Sequence, residues 1–482
     1  MRRFDEAGRP TPEALADERE LQARYPGYRG VDPDYVHAGT EALERWWDWK
    51  FGIRIHWSLY SITGNGPESW PLQMPETGTP EFRQQYEELY QWWNPSRFDA
   101  DEWCNLFVRA GLKFFTFTTK HHDGFSMFAT RTRVKKRRVH TGPDAGKIVD
   151  CDLAYSIMET PFGRDVVREL VEAGRRRGLG IGLYFSHIDW FDSDFRIDVW
   201  NYQRDPNYTP QSDPEGFRRM LTRHREQIRE LLTNYGPIDH LSLDMQFPAR
   251  ELGIWPEIVA TAKMARRLQP QVLMRQRGID QYGDYCTPER IVPADDEPSG
   301  MGAVQGFPWK VIYPGSKHFS HVWSDEYRPT SWILENLVDV VAKGGNFQVG
   351  YGPGPDGRFA RTIVRRLEEC GAWLRINGEA IYGTRSRRPF KEGDNVRFTR
   401  SKNGRVVYAF LMRWPEPPVE AGVVRLRTVR PQPGSAVTML GLKHTFQYRQ
   451  EEHGVAIEIP AWFNDPQNRP GQPPFVFRFE EG

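Results

Sequence analysis

The chain is 482 residues long, enough for a large core and two or three domains. Its 65 Lys and Arg against 64 Asp and Glu leave a formal net charge of +1, so no global basic field recruits nucleic acid or an anionic membrane. The N-terminus, MRRFDEAGRPTPEALADERELQARYPG, lacks an apolar signal core, and no segment is long and apolar enough to cross a bilayer. The expectation is a soluble protein, cytoplasmic as given, or periplasmic or secreted where a signal has been removed; the oligomeric state is not legible. Cys104, Cys151, Cys286 and Cys370 stand singly, without a C-x-x-C pair, and read as small buried hydrophobes rather than a zinc, redox or disulfide framework. Aromatic residues make up 13% of the chain, with 17 tryptophans, which suits a core of large side chains and equally a surface on which sugars stack.

In chain order, residues 1–40 read as an N-terminal helical arm packed on a barrel. Strand candidates follow in FGIRIHW from Phe51, FFTFTTK from Phe114, GIGLYFS from Gly180, HLSLDM from His240, VLMRQ from Val272 and GGNFQVGYGP from Gly344. Between them, PFGRDVVRELVEAGRRRGLG places Val166, Val167, Leu170 and Val171 on one helical stripe and stops at Gly178. GFRRMLTRHREQIRELLTNYGP, WILENLVDVVAKGG and RFARTIVRRLEECGAWLRING repeat the pattern. Apolar strands alternating with amphipathic helices imply a parallel sheet covered by helices, and the number of units suits a (β/α)8-like barrel over about 41–386. No G-x-G-x-x-G follows the first strand, which argues against a doubly wound dinucleotide fold. From about residue 387 to 482, short alternating strands separated by turns, without helices, predict a C-terminal antiparallel β-sandwich.

Barrel chemistry collects at the C-terminal ends of the strands, and the polar residues of this chain fall there. FGIRIHW ends at His56, FFTFTTK runs into His121, His122 and Asp123, GIGLYFS runs into His187 and Asp189, HLSLDM carries Asp244, and VLMRQRG carries Arg275 and Arg277. Adjacent histidines on a regular strand would face opposite ways, so both can serve one site only where the chain already turns, as it does toward Gly124. Asp123 is the structural member of that trio, bracing the turn or orienting an imidazole. Asp244 ends an apolar run, where a charge is costly unless it opens into a polar pocket. It could serve as nucleophile, general base or, with His121 and His122, metal ligand, though no H-x-H or H-E-x-x-H spacing supports a metal.

The stretches FGIRIHWSLYS, KHHDGF, NYGPIDHLSLDM, YGDYCTPERIVP, GGNFQVGYGPGPDG and GEAIYGT resemble, in order, glycoside hydrolase family 29, the α-L-fucosidases. The resemblance runs from Phe51 to Thr384 and implies a barrel with a C-terminal β-sandwich, hydrolysis of a terminal α-L-fucoside with retention of configuration, and no metal or cofactor. It implies Asp244 as the nucleophile and Glu289 as acid/base, with Glu68, Glu297 and Glu326 as alternatives for the acid. His56, His121, His122, Trp70, Glu68, Tyr184 and Arg277 are the implied substrate-binding residues, while Arg275 is expected to pair with a structural acid. The chain departs from the family at Ser242, at Phe185 (depending on how Tyr184 and Phe185 align), and at Lys310, Phe319 and His321. Lost aromatic bulk there would widen the pocket around C5 of the sugar, so L-galactose or L-glucose is the alternative glycon. A catalytically inactive sugar-binding protein is the alternative of another class.

Overall fold

The computed structural model describes residues 2–29, 32–295, 299, 302–324, 326–414 and 422–481. Seven parallel strands form one curled sheet: β1 (Phe51–Ile55), β2 (Phe114–Lys120), β3 (Gly180–Ser186), β4 (His240–Asp244), β5 (Leu273–Met274), β6 (Lys310–Pro314) and β7 (Asn346–Tyr351), in the spatial order β5-β4-β3-β2-β1-β7-β6. All residues of β1, β2, β3, β4 and β7 are buried, because helices cover the outside of the sheet while side chains fill its inside. The helix Val166–Arg176 buries the predicted stripe of Val166, Val167, Leu170 and Val171, and Asp165 caps it by accepting from the Arg168 amide. Pro214–Thr233 buries Ile228, Leu231 and Leu232, though Leu221 is only partly covered.

β6 was not among the predicted strands. Its sequence, KVIYP, opens on a lysine and closes on a proline, yet Lys310 lies inside the barrel with its Nζ 5.1 Å from the Tyr285 ring and 5.7 Å from that of Phe114. Between β5 and β6 the described residues form no α-helix, only the single 3-10 turn Asp280–Tyr282. Isolated parallel bridges Arg275↔Tyr285, Cys286↔Trp309 and Glu289↔Ile312 link the two edge strands through the segment 285–289, which closes the ring in place of a regular strand.

The N-terminal arm, with its helix Pro12–Arg24, is stitched to the approach to that segment. Tyr28 and Tyr35 donate to the carbonyls of Asp284 and Tyr282, and Asp284 accepts from the Ala38 amide and from Arg266. From Thr384 the chain builds a six-stranded antiparallel sheet facing a three-stranded one, with Phe398, Leu426, Phe446, Ile457 and Phe477 in their shared core. No helix of the described residues is long and apolar enough to cross a membrane.

Candidate active site

On β4 the side chains of His240, Ser242 and Asp244 share one face by strand alternation, and that face is the inside of the barrel. His240 bonds Thr116, and Ser242 accepts from Arg54 at 3.0 Å. Asp244, at the strand end, meets the pocket. Its Oδ2 accepts from the Tyr184 hydroxyl at 2.6 Å, and its Oδ1 from Arg277 at 2.6 Å and Arg275 at 3.2 Å. Burial would push this carboxyl up, but Arg277 and Arg275 outweigh it and hold it well below the usual carboxylate range, so it is ionised.

Glu289 joins the same arginines. Arg275 reaches its Oε1 at 2.5 Å, and Arg277 reaches it at 3.3 Å from the same nitrogen that binds Asp244. With Arg277 Nη1 2.6 Å from one carboxylate oxygen and 3.3 Å from the other, the two oxygens lie within about 6 Å of each other. Arg275 thus pairs with both carboxylates of the site rather than with a separate structural acid, and it is fully buried. Arg277, a quarter exposed, is held from behind, where His187 bonds its carbonyl and passes its other ring nitrogen to His224.

The histidines divide into two kinds. At the end of β2 the pairing with β3 slips between Thr118 and Lys120, and the chain turns at Gly124, so His121 and His122 reach the same pocket with ring centroids 3.9 Å apart. His121 Nδ1 bonds Ser69 at 2.5 Å and His122 Nδ1 bonds Ser186 at 2.8 Å. Among the described residues nothing bonds Nε2 of either ring. Burial pushes His121 well below the usual imidazole range and His122 down to about 4, so both are neutral near pH 7. His56 engages both nitrogens, Nδ1 with Thr118 at 3.0 Å and Nε2 with Arg54 at 3.3 Å. Its ring stands edge-on to His121 and Tyr184. Asp123 braces the turn, accepting from the Phe125 amide and the Tyr86 hydroxyl rather than from an imidazole.

Trp70 is half-buried and stands edge-on to His122 and Trp190 at 5.3 Å. Glu68 is buried, and its Oε1 accepts the amides of Phe319 and Ser320 at 3.0 Å; burial raises its carboxyl to about 7. Glu326 is exposed, and Glu297 lies outside the described residues. Of the departures, Ser242 sits one inward position below Asp244, Lys310 lies in the barrel core, and Phe185 faces the helices beside Lys120 and His224. Phe319 packs on the site, against His56 at 5.5 Å. His121, His122 and Asp244 do not converge as a metal site, and no other such cluster occurs among the described residues.

Arg54, Ser69 and Ser186 were missed in the sequence. Arg54 had a signal, since it alternates with His56 on one face of β1; the two serines had none.

Residues 29–379 match the α-L-fucosidase family and residues 391–480 match the α-L-fucosidase C-terminal domain. The tissue α-L-fucosidase of Rattus norvegicus is 26% identical over 450 residues, covering 89% of this chain and 88% of the relative. The α-L-fucosidase of Dictyostelium discoideum is 25% identical over 93% of this chain and 94% of its own. Among solved structures, α-L-fucosidase isoenzyme 1 from Paenibacillus thiaminolyticus superposes with a TM-score of 0.73 at 26% identity, over 92% of this chain and 99% of that one. A family 29 α-L-fucosidase from Bacteroides thetaiotaomicron, described as a trapped covalent intermediate with 2-fluoro-fucosyl fluoride, superposes at 0.72 with 22% identity, over 94% of this chain and 98% of its own. With both parts of the chain matched along most of their length, the protein belongs to the α-L-fucosidase family of glycoside hydrolases, family 29.

Proposed function

We propose that the protein removes terminal α-L-fucose from a glycoside by double displacement, with Asp244 as nucleophile and Glu289 as acid/base. The observation that carries this reading is the pair of carboxylates bridged by one Arg277 nitrogen. Their oxygens are within about 6 Å, the scale of a retaining pair at roughly 5 to 5.5 Å rather than an inverting pair with a water between. Asp244, ionised by its two arginines and fixed by the Tyr184 hydroxyl, attacks the anomeric carbon and forms a glycosyl-enzyme. Glu289 protonates the departing oxygen and then takes a proton from water. The Nε2 atoms of His121 and His122 read neighbouring sugar hydroxyls, each neutral ring offering a donor or an acceptor. Trp70 closes the wall beside them. The relative trapped as a covalent intermediate accords with this chemistry.

One observation favours a second assignment of the acid. Burial raises Glu68 to about 7, the charge state a general acid needs, although its Oε1 is occupied by two backbone amides. The experiment is a set of variants assayed on aryl α-L-fucosides. Asp244→Gly loses turnover by about a thousandfold or more and regains part of it with azide, giving a fucosyl azide. Azide rescue in Glu289→Ala, with retained activity on substrates whose leaving group needs no proton, assigns the acid there; the same behaviour in Glu68→Ala instead moves it. Full activity of Asp244→Gly, or faster turnover of α-L-galactosides than α-L-fucosides, overturns the proposal.

A further inference from the structure

His187 directly follows β3 and ties together the two neighbouring strand ends that carry the site. Its backbone amide donates to the Asp244 carbonyl at 2.9 Å, and its ring Nε2 meets the Arg277 carbonyl at 3.1 Å. Because amide and ring belong to one residue, the main chain of Arg277 is held at a fixed offset from that of Asp244. Behind the ring, Nδ1 lies 2.9 Å from Nε2 of His224, which comes from the helix Pro214–Thr233. Both histidines are buried, and neither has a part in the reaction proposed above.

These contacts fix where the protons sit. A carbonyl only accepts, so His187 Nε2 carries the proton, and a neutral ring protonated there leaves Nδ1 as an acceptor. His224 Nε2 then donates to it, and the Nδ1 of His224 is bare, with no hydrogen-bond partner among the described residues. Burial pushes His187 down to about 4 and His224 well below the usual imidazole range, so neither ring takes a second proton near pH 7. The turn after Arg277 closes directly on the same ring: Gly278 has φ +79, and a Cβ there would stand 2.6 Å from His187 Nε2.

We infer that His187 and His224 are a positioning pair for the nucleophile: His187 holds Asp244 and Arg277 in register, and His224 holds His187 in the tautomer that can do so. The inference rests on the proposed double displacement and adds to it the residues that set its geometry. One Arg277 nitrogen sits 2.6 Å from Asp244 and 3.3 Å from Glu289, so a slip of the Arg277 main chain disturbs both carboxylates at once. A displacement of about 1 Å at a reacting group costs on the order of a hundredfold in rate. A pair that only filled the core would be replaceable by leucine, which has a similar bulk and neither donates nor accepts.

The test follows inactivation by 2-fluoro-fucosyl fluoride, which reports formation of the glycosyl-enzyme, with the labelled residue identified by mass spectrometry. In His187→Leu the rate constant of inactivation falls about thirtyfold, while the dissociation constant of the reagent changes less than about twofold. His187→Gln, whose amide can donate to the Arg277 carbonyl and accept from His224, stays within about threefold of the parent. His224→Leu loses about fivefold, and adding it to His187→Leu costs nothing further, because the two act as a unit. Labelling of His187→Leu at the parent rate, an equal loss in His187→Gln and His187→Leu, or additive losses in the double variant overturns the positioning pair and leaves the reaction standing. Should His187→Leu fail to fold, His224→Leu decides alone, and labelling at the parent rate overturns the pair. Absence of label on Asp244 in the parent overturns the double displacement itself.

Discussion

At the candidate active site, charge and neutrality are set by different neighbours. Two guanidinium groups keep Asp244 ionised, while His121 and His122 are neutral because burial disfavours their charged forms. His121→Ala and His122→Ala should each lower kcat/KM about tenfold, the worth of one lost hydrogen bond to an uncharged hydroxyl, measured on an aryl fucoside. An unchanged value in either variant assigns that ring to structure alone. Glu68 gives a pH signature separate from catalysis. Its carboxyl is raised from about 4.5 in the unfolded chain to about 7 when folded, so its contribution to stability is complete below pH 4.5 and is lost as pH rises through 7. Glu68→Gln should therefore gain on the parent by on the order of 2 kcal/mol between pH 5 and pH 8 in denaturant titrations. The same difference at both pH values would show that Glu68 is not buried as a neutral acid. That His121, His122 and Asp244 gather at one rim is legible in the sequence, because a polar residue closing an apolar strand needs a polar destination. For Arg275 the sequence points to some other acid, because alternation gives its face, shared with Arg277, but not what lies across the barrel.

Among the elements, the turn after β2 carries the most constraint. Gly124 has φ +82, and a Cβ there would stand 2.0 Å from Asp189 Oδ1, within a buried cluster where Asp189 also meets Lys120 and Arg223. Gly124→Ala should destabilise the protein by about 3 kcal/mol or more, read from the thermal midpoint, with activity falling as the two histidines lose register. A variant as stable and active as the parent would mean that the turn can relax away from Asp189. The segment between β5 and β6 is the counterpart on the other side of the site. It has no α-helix among its described residues, only the 3-10 turn Asp280–Tyr282, so periodicity offers nothing to read there. Bridges to both edge strands and the clamp from Tyr28, Tyr35 and Ala38 hold it, and through it Glu289.

In the whole molecule, the barrel and the C-terminal sheets share a core as well as a chain. Tyr408, Phe410, Met412 and Val476 pack with the barrel cluster, Trp373 donates to the Pro474 carbonyl, and Arg385 pairs with Glu44 and Asp48 at the base of the barrel. The sequence by itself determined the alternation of buried strands and amphipathic helices, the change to short alternating strands after Thr384, and the rim on which polar residues gather. These are properties of spacing along one segment, and spacing is what burial selects. Only the tertiary structure decided which polar residues meet. Glu289 reaches Asp244 through Arg275 and Arg277 across a ring closed by irregular backbone, Lys310 enters the core from a strand with no apolar signature at its ends, and His224 reaches His187 from a separate helix. Such encounters join segments far apart in the chain, and no local period encodes the distance between them.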